Sequence, residues 1–375
     1  MKTYCFKLYQ AKRNRKLHRQ INISGCIYNH CIALHKRYYR MFGKSLNAYR
    51  LQKHLTKLKA HEKYAFWNLV GSQAIQDIAQ RIDKGYKLFF RNLKHKVKTA
   101  PPSFKKVKKY KSFTLKQAGY KYSGGNRIVI QKQEYKFHLS REIEGTIKTL
   151  TVKRDALGDV YLYFVCDQEE KNEVLARTGK SVGFDFGLKT FLQSSDGLSI
   201  EAPLFFKQNR NAIEKASREL SRKKKGSANR GRARMALARL HKKTANQRAD
   251  FHFKLARNLS GEYATICIED LNMKAMQKLW GRKISDLGFS EFVNVLEYQC
   301  SKTGSTVVKI SRFYPSSKTC SHCGHVLDEL PLKIRYWVCP ECGTAHDRDE
   351  NAAVNILRVG ASTLAGEVIR ATSVA

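Results

Sequence analysis

The sequence is poor in acidic residues. It has 31 Asp and Glu against 71 Lys and Arg among 375 residues, a formal net charge of +40, and no acid precedes Glu62. Charge of this size repels itself unless a polyanion neutralises it, so we expect a nucleic acid as the partner. Apolar residues make up 42% of the chain, which is enough to build cores and excludes a wholly disordered basic tail.

Long apolar runs are also missing. No run reaches the length of about 18 apolar residues that a membrane-spanning helix needs, and the first residues lack the pattern of a signal peptide. A basic protein of membrane surfaces is therefore the weaker alternative. We expect a soluble, cytoplasmic protein without a membrane partner.

The basic charge is unevenly distributed. Residues 1–150 contain 35 Lys and Arg and six acids, a local net charge of +29, whereas the remaining 225 residues contain 36 basic and 25 acidic residues, a net charge of +11. We therefore expect nucleic-acid binding to be concentrated in the front of the chain, while most of the carboxylates lie behind it.

Hydrophobic periodicity divides the front part into two predicted domains. Residues 11–95 are predicted to form a helical recognition domain, in which Ile75 and Ile78 belong to an apolar stripe at helical spacing. Short alternating segments in residues 96–170 predict strands, and "KTYCFKLY" in residues 1–10 predicts one more. We expect these strands to form a small, wedge-like β-barrel that binds nucleic acid.

The back part, residues 176–375, is predicted to be an α/β domain. The apolar segments "SVGFDF", "TICIED" and "TVVKIS" predict strands that alternate with helices, and the polar segment "EEKNEVLARTGK" before them predicts a linker. A last helix is expected from about Asp349 to Arg358. The small, polar residues 359–375 predict a mostly disordered tail.

Four of the ten cysteines have the spacing C-x2-C-x15-C-x2-C. These four are Cys320, Cys323, Cys339 and Cys342. Four thiolates in two close pairs can meet at one tetrahedral Zn²⁺, so we predict a zinc ribbon over residues 316–346, inserted in the back domain. Four Cys leave no open coordination position, which indicates structural zinc. The other six cysteines are scattered, which indicates a reducing compartment without disulfides.

Three acids occur where an apolar core is expected. Asp185 and Glu269 lie in or at the end of apolar strands, and Asp349 begins the last helix. Carboxylates are costly in such places unless they are paired or bind a metal ion. Together they could hold a pair of Mg²⁺ or Mn²⁺ ions for phosphodiester hydrolysis. Taken singly, each could be a strand-end carboxylate or a helix cap, and Asp347 or Asp349 could be an N-cap.

The motifs "GFDFGLK", "IEDLNM", "YPSSKTCSHCG" and "HDRDENAAVNIL" resemble those of the TnpB family, the RNA-guided nucleases of bacterial insertion sequences. The segment "LSRKKKGSANRGRARMALARLHKKTANQRADF" and the segment "KLFFRNLK" resemble this family as well. The resemblance implies a multi-domain α+β protein: an N-terminal helical lobe and small β-barrel, then a RuvC-like, RNase H-type α/β nuclease domain with an inserted zinc ribbon. Its three catalytic, magnesium-binding acids would be Asp185, Glu269 and Asp349. Asp349 is chosen over Asp347 because the third acid of the family lies in a D-x-N-A-A pattern.

The resemblance also implies partners and a product. The front of the chain would hold a guide RNA derived from the transposable element and read a short motif beside the target. The nuclease domain would then cut double-stranded target DNA, leaving a 5′-phosphate and a 3′-hydroxyl.

Two groups of polar residues are candidates for nucleic-acid contacts. The densest basic run contains Arg222, Lys223, Lys224, Lys225, Arg230, Arg232 and Arg234, and it predicts phosphate binding. Gln73, Gln76 and Gln80 share one face of a predicted helix, and amides of this kind pair with adenine in a major groove. For both groups, an ordinary solvated helix face is the alternative.

We therefore predict an RNA-guided, Mg²⁺-dependent DNA endonuclease that acts as a monomer in the bacterial cytoplasm, at the nucleoid. Two other classes stay open. A DDE-type transposase also uses three acids but would join strands, and a catalytically silent RNA-guided repressor would bind DNA without cutting it.

Overall fold

The computed structural model describes residues 1–167 and 179–372, and for residues 273–275, 279, 280, 282 and 365–372 it describes the backbone alone. Most of the predicted linker "EEKNEVLARTGK" lies outside the described residues. The chain divides into two compact units, Met1–Glu170 and Lys171–Ala375. In the part that is described, none of the helices combines the length and the apolar character needed to cross a bilayer.

The helices of the first unit are mutually packed through apolar stripes. They are α1 (Asn14–Phe42), α2 (Ala48–Lys59), a 3₁₀ helix (Glu62–Val70), α3 (Ser72–Lys94) and a 3₁₀ turn (Val107–Lys109). Ile75, Ile78 and Ile82 of α3 are buried, as the period of the sequence predicts. Asn47 begins α2, because its side chain accepts a hydrogen bond from the Arg50 N–H at 2.9 Å.

The strands of the first unit form two antiparallel sheets. They are β1 (Lys2–Lys7), β2 (Ser112–Leu115), β3 (Tyr120–Lys121), β4 (Arg127–Ile130), β5 (Gln133–Lys136), β6 (Thr146–Arg154) and β7 (Val160–Asp167). One sheet has the order β1-β7-β6-β2 and the other the order β3-β4-β5. A single isolated bridge, Leu8–Phe137, links their ends. The rings of Phe6, Phe137 and Phe164 pack between the sheets with centroids 5.3 to 6.0 Å apart.

The predicted closed barrel is wrong for the described part of this unit. Strands β1 and β2 are the two edges of the four-stranded sheet and do not pair with each other. Closure would need hydrogen bonds between these two edges, but among the described residues β2 is short and pairs with β6 on one side only. The strands therefore enclose their aromatic core as two open sheets.

The second unit is built on a five-stranded sheet of order β10-β9-β8-β11-β12. Its strands are β8 (Ser181–Asp185), β9 (Thr190–Ser194), β10 (Ser199–Glu201), β11 (Thr265–Glu269) and β12 (Thr306–Ile310), and β13 (Tyr336–Val338) and β14 (Ala345–Asp347) form a separate hairpin. Its helices are α4 (Phe205–Arg222), α5 (Ala228–Glu262), α6 (Met273–Leu287), α7 (Phe289–Thr303) and α8 (Arg348–Thr372). Strands β8, β11 and β12 are parallel, whereas β9 is antiparallel to β8. Together the two units form the predicted multi-domain α+β fold.

Helix α8 crosses β8 in direct backbone contact. A side chain at Gly183 would overlap the Ala353 carbonyl oxygen and lie 2.6 Å from the Leu357 amide nitrogen. Only glycine therefore allows this approach.

The C-terminal tail differs from the prediction, because α8 continues through Thr372 rather than ending near Arg358. Gly360 lies against Cys267 of β11, so closely that an added Cβ would overlap the thiol. At Gly360 the helix therefore packs directly on the sheet, whereas residues 361–363 are exposed.

Candidate active site

The first two predicted acids are neighbours at one edge of the sheet. Asp185 is the last residue of β8 and Glu269 is the last residue of β11. These strands are parallel and pair Phe184 with Ile268, so the acids that follow come side by side. Carboxyl ends of parallel strands are a common position for sites in α/β sheets.

Asp349 is brought to the same place by α8, which packs against β8 and β11. Its proximity is visible in the titration of Asp185. Burial, together with the nearby charges of Glu269 and Asp349, raises the pKa of Asp185 to about 7. The Phe186 backbone N–H and Arg348 oppose this rise. The structure thus brings the three sequence-predicted acids together.

Glu269 has one hydroxyl partner. The Ser316 Oγ donates a hydrogen bond to Glu269 Oε1 at 2.5 Å. Burial raises the pKa of Glu269, and the bond from Ser316 opposes that rise because it stabilises the charged carboxylate. Nothing in the local sequence around Glu269 points to this partner, which lies 47 residues further along the chain.

Asp347 and Asp349 have different structural roles. Asp347 Oδ1 accepts hydrogen bonds from the Asp349 N–H at 2.9 Å and the Glu350 N–H at 3.1 Å, which is the pattern of an N-cap. Asp349 instead receives the Arg335 guanidinium, whose Nη1 lies 2.9 Å from Oδ1 and 3.1 Å from Oδ2. The cap function therefore belongs to Asp347, whereas the Asp349 carboxylate bonds Arg335 and lies near enough to Asp185 to raise its pKa.

The three carboxylates suit divalent cations. Carboxylate oxygens are the ligands that Mg²⁺ prefers in proteins, and the raised pKa of Asp185 shows that burial and the neighbouring acids outweigh the opposing effect of Arg348 at this carboxylate. The oxygens of the three acids do not all lie within 4.8 Å of one another. Among the described residues, the four cysteines are the one group of potential metal ligands with so short a spacing.

The four cysteines come together as their spacing predicts. Their sulfur atoms all lie within 4.8 Å of one another, with 3.7 Å between Cys320 and Cys342 and 3.6 Å between Cys323 and Cys339. The two C-x2-C segments are each held in a turn, since the Cys320 N–H bonds the His325 carbonyl beyond Cys323, and the Cys339 N–H bonds the Thr344 carbonyl beyond Cys342. This donor set fits tetrahedral Zn²⁺.

His346 supports the cysteine cluster and is a residue that the sequence analysis missed. Its Nε2 lies 3.0 Å from Cys320 Sγ, and its ring packs on Trp337 at a centroid distance of 4.7 Å. Partners of this kind orient metal ligands. The signal in the sequence is its position four residues after Cys342, on the hairpin strand that leads to Asp349.

Known proteins resemble the chain along most of its length. Residues 163–279 match the model OrfB_IS605, described as "Probable transposase", and residues 289–356 match the Cas12f1-like TNB domain. A protein of Streptomyces pristinaespiralis, named as a candidate RNA-guided DNA endonuclease, is 35% identical over 323 residues, which cover 84% of this chain and 78% of that protein. The TnpB-like protein L79 of Acanthamoeba polyphaga mimivirus is 32% identical over 60% of this chain and 46% of that protein. The chain belongs to the TnpB family.

Further relatives of this TnpB protein include InsQ of Escherichia coli K12, which is 29% identical over 80% of this chain and 77% of that protein. Two solved structures share the fold. One is the Cas12f1-sgRNA-target DNA complex, with a TM-score of 0.59, 17% identity and coverage of 92% of this chain and 83% of that chain. The other is the mini-RNA-guided endonuclease CRISPR-Cas_phi3, with a TM-score of 0.52, 10% identity and coverage of 96% and 92%.

The predicted basic run of this TnpB protein lies at the turn between α4 and α5, and its members differ. Arg230 is half-buried, and its Nη1 donates to the Leu220 and Lys223 carbonyls, each at 2.8 Å. It therefore ties the end of α4 to the start of α5. The other six are exposed: Arg222, Lys223, Lys224, Lys225, Arg232 and Arg234.

The three glutamines of α3 also differ. Gln76 is exposed and lines a groove of about 380 Å³ between α2 and α3, together with Tyr49 and Lys53. Gln80 instead accepts a hydrogen bond from the Lys116 ammonium, and Gln73 is half-buried. Gln76 is the member of the set that is accessible to a large ligand.

Proposed function

We propose that this TnpB-family protein is an RNA-guided DNA endonuclease, and that unit Lys171–Ala375 is its RuvC-like, RNase H-type nuclease domain. One observation carries the catalytic part of the proposal: Asp185, Glu269 and Asp349 converge at one sheet edge, where their mutual charge and burial raise the pKa of Asp185 to about 7. A protein with a formal net charge of +40 has little other use for such a cluster.

The three carboxylates would hold a pair of Mg²⁺ or Mn²⁺ ions. Ions of this kind, when bound, supply the activation of water and the stabilisation of the leaving oxygen in phosphodiester hydrolysis. The carboxylates would be bound in their charged form, so Asp185 must lose its proton before the site is filled. The products would carry a 5′-phosphate and a 3′-hydroxyl.

The chain would position its nucleic acids by charge. The net charge of +29 in residues 1–150 would hold a guide RNA derived from the transposable element, and the exposed cations at the α4–α5 turn would contact phosphates. Gln76, in its groove between α2 and α3, would read a short motif in the duplex beside the target. The name of the Streptomyces pristinaespiralis relative, an RNA-guided DNA endonuclease, supports RNA and DNA as the partners.

The cysteine cluster would hold a structural Zn²⁺, since all four coordination positions are thiolates. We propose that the protein works as a monomer in the bacterial cytoplasm, where the element DNA and its targets are found.

The test is cleavage by the protein purified together with its RNA. That RNA is sequenced, a DNA matching its guide is supplied with Mg²⁺, and the cleaved ends are mapped. We expect cleavage by the wild type and by Asp250→Asn, a control that removes an exposed acid paired with Lys254, and none by Asp185→Asn. Tight target binding without cleavage by the wild type would instead indicate a repressor, and joined strands would indicate a transposase.

A further inference from the structure

A hydrogen bond joins Glu269 to the cysteine module, residues 316–346. The segment from Ser316 to Cys320 is the start of this module, and it follows β12, which ends at Ile310. Its first residue bonds Glu269 through the side-chain hydroxyl, and its last residue belongs to the cysteine cluster. The segment is therefore placed between two predicted metal sites.

Two asparagines of α8 hold this segment by its backbone. Asn355 Nδ2 donates to the Ser316 carbonyl at 2.9 Å and to the Thr319 carbonyl at 2.6 Å. Asn351 Nδ2 donates to the Thr319 carbonyl at 2.8 Å, and its Oδ1 accepts the Ser321 N–H at 2.9 Å. Both asparagines are almost fully buried, with 3% and 0% of their surface exposed.

The two asparagines also connect the segment to the helix that carries Asp349. Asn351 and Asn355 are four residues apart and lie on one face of α8, which also carries Asp349 in its first turn. Helix α8, which carries Asp349, thus also fixes Ser316, the residue that bonds Glu269. Ser316 is itself 7% exposed, so water has little access to replace its hydroxyl.

We propose that Ser316 is a positioning residue that orients the Glu269 carboxylate for divalent metal binding, and that Asn351 and Asn355 hold it in place. This inference rests on the proposed function for its consequence in catalysis, although its first readout is metal affinity. A hydroxyl that donates to one carboxylate oxygen fixes the rotation of the group, and the other oxygen would then be available to a cation. Partners of metal ligands typically contribute about 10- to 100-fold to metal affinity or activity.

The experiment compares substitutions that keep or remove the hydroxyl at constant shape. Ser316→Thr keeps the donor, and Ser316→Val replaces it with a methyl group on the same branched skeleton. Ser317→Ala, which removes the neighbouring hydroxyl, is the matched control. Each full-length variant is purified with its RNA, and Mn²⁺ binding is followed by electron paramagnetic resonance. The part of the signal that is lost in Asp185→Asn is assigned to Mn²⁺ bound at the acidic site.

We expect Ser316→Val to weaken Mn²⁺ binding about tenfold or more relative to Ser316→Thr, and Ser317→Ala to match the wild type. Zinc content and target binding should be equal in all of them. Single-turnover cleavage should fall with Mn²⁺ affinity.

Equal Mn²⁺ affinities in the Thr and Val variants would overturn the proposal. Zinc loss in step with Mn²⁺ loss would also overturn it, since Ser316 would then support the fold of the module. A wild type that binds Mn²⁺ but does not cleave would refute the proposed function, and the comparison of the two variants would still decide the role of Ser316.

Discussion

Replacing Asp185 with asparagine should stabilise the metal-free protein. The side chain keeps its shape and loses its charge, so the substitution removes the cost of burying that charge and its repulsion by Glu269 and Asp349. The sign follows from the direction of the pKa. The folded protein holds the Asp185 proton more tightly than the unfolded chain does, so the stabilising contribution of that proton is complete below pH 3.8 and is lost as the pH rises through about 7.

The size of this stability difference follows from the ordinary and the raised pKa of Asp185. The pKa of Asp185 lies about three units above its ordinary value of 3.8, and each unit corresponds to about 1.4 kcal/mol. At pH 8, ionised Asp185 therefore costs the folded second unit up to about 4 kcal/mol. The stability advantage of Asp185→Asn should be largest at pH 8, shrink as the pH falls through about 7, and vanish near pH 3.8.

The assay is urea denaturation without added Mg²⁺ or Mn²⁺, followed by peptide-resolved hydrogen exchange in β8 and α8. Peptide resolution separates the second unit from the first. Adding Mn²⁺ at pH 8 should raise the stability of the wild type, because a cation bound only by the folded state stabilises it. It should leave Asp185→Asn unchanged.

Equal stability of the wild type and Asp185→Asn across pH 5 to 8 would refute the reasoning, because it would mean that neither burial nor the neighbouring acids disfavour ionised Asp185 in the folded protein. Asp250→Asn, on an exposed face of α5, should show no such pH-dependent gain.

Four further outcomes are expected. Cys339→Ser should release the bound zinc and make the cysteine module sensitive to protease, because the fold of so small a segment depends on its metal; atomic absorption and limited proteolysis measure both. Arg335→Gln should tighten Mn²⁺ binding about two- to fivefold, since it removes an exposed ion pair that competes for Asp349; paramagnetic resonance titration measures this. Gln76→Ala should relax the preferred motif at one position by about 1–3 kcal/mol of discrimination, as read from a randomised target library. Lys224→Ala should weaken nucleic-acid binding evenly across sequences and lower the salt dependence by about one unit of slope.

The chain offers matched controls for the last two outcomes. Gln80→Ala removes an amide that is already bonded to Lys116 and should leave the motif unchanged. Arg230→Ala should loosen the α4–α5 turn, measured by faster hydrogen exchange there, because Arg230 bonds two carbonyl groups. A motif shift in Gln80→Ala as large as that of Gln76→Ala would contradict the role given to Gln76.

The places of the acids could be predicted because they depend on local patterns. Apolar strand residues up to Asp185 and Glu269 show that both acids end buried strands, and the parallel pairing of β8 and β11 then makes them neighbours. The choice between Asp347 and Asp349 could not be made from spacing alone. The choice depends on which carboxylate accepts hydrogen bonds from the first N–H groups of α8, and the side-chain rotamers determine this.

Non-local pairing explains the two errors of fold. Alternating segments indicate strands but not which edges meet, and β1 and β2 remain separate edges. The tail from residue 359 onwards has little hydrophobic pattern, yet α8 continues past the contact of Gly360 with Cys267, which is distant in the sequence. Partner residues such as Ser316 and Arg335 were missed for the same reason, since their contacts join distant parts of the chain.

The contact at Gly183 affects how precisely the distance between Asp185 and Asp349 is fixed. Helix α8 touches β8 through main-chain atoms, so no side chain of variable size separates the element that carries Asp349 from the one that carries Asp185. The distance between Asp185 and Asp349 therefore depends little on substitutions that change the size of other core side chains. Repacking elsewhere in the unit can change its stability without changing this dimension, which a single added methyl group at position 183 would enlarge.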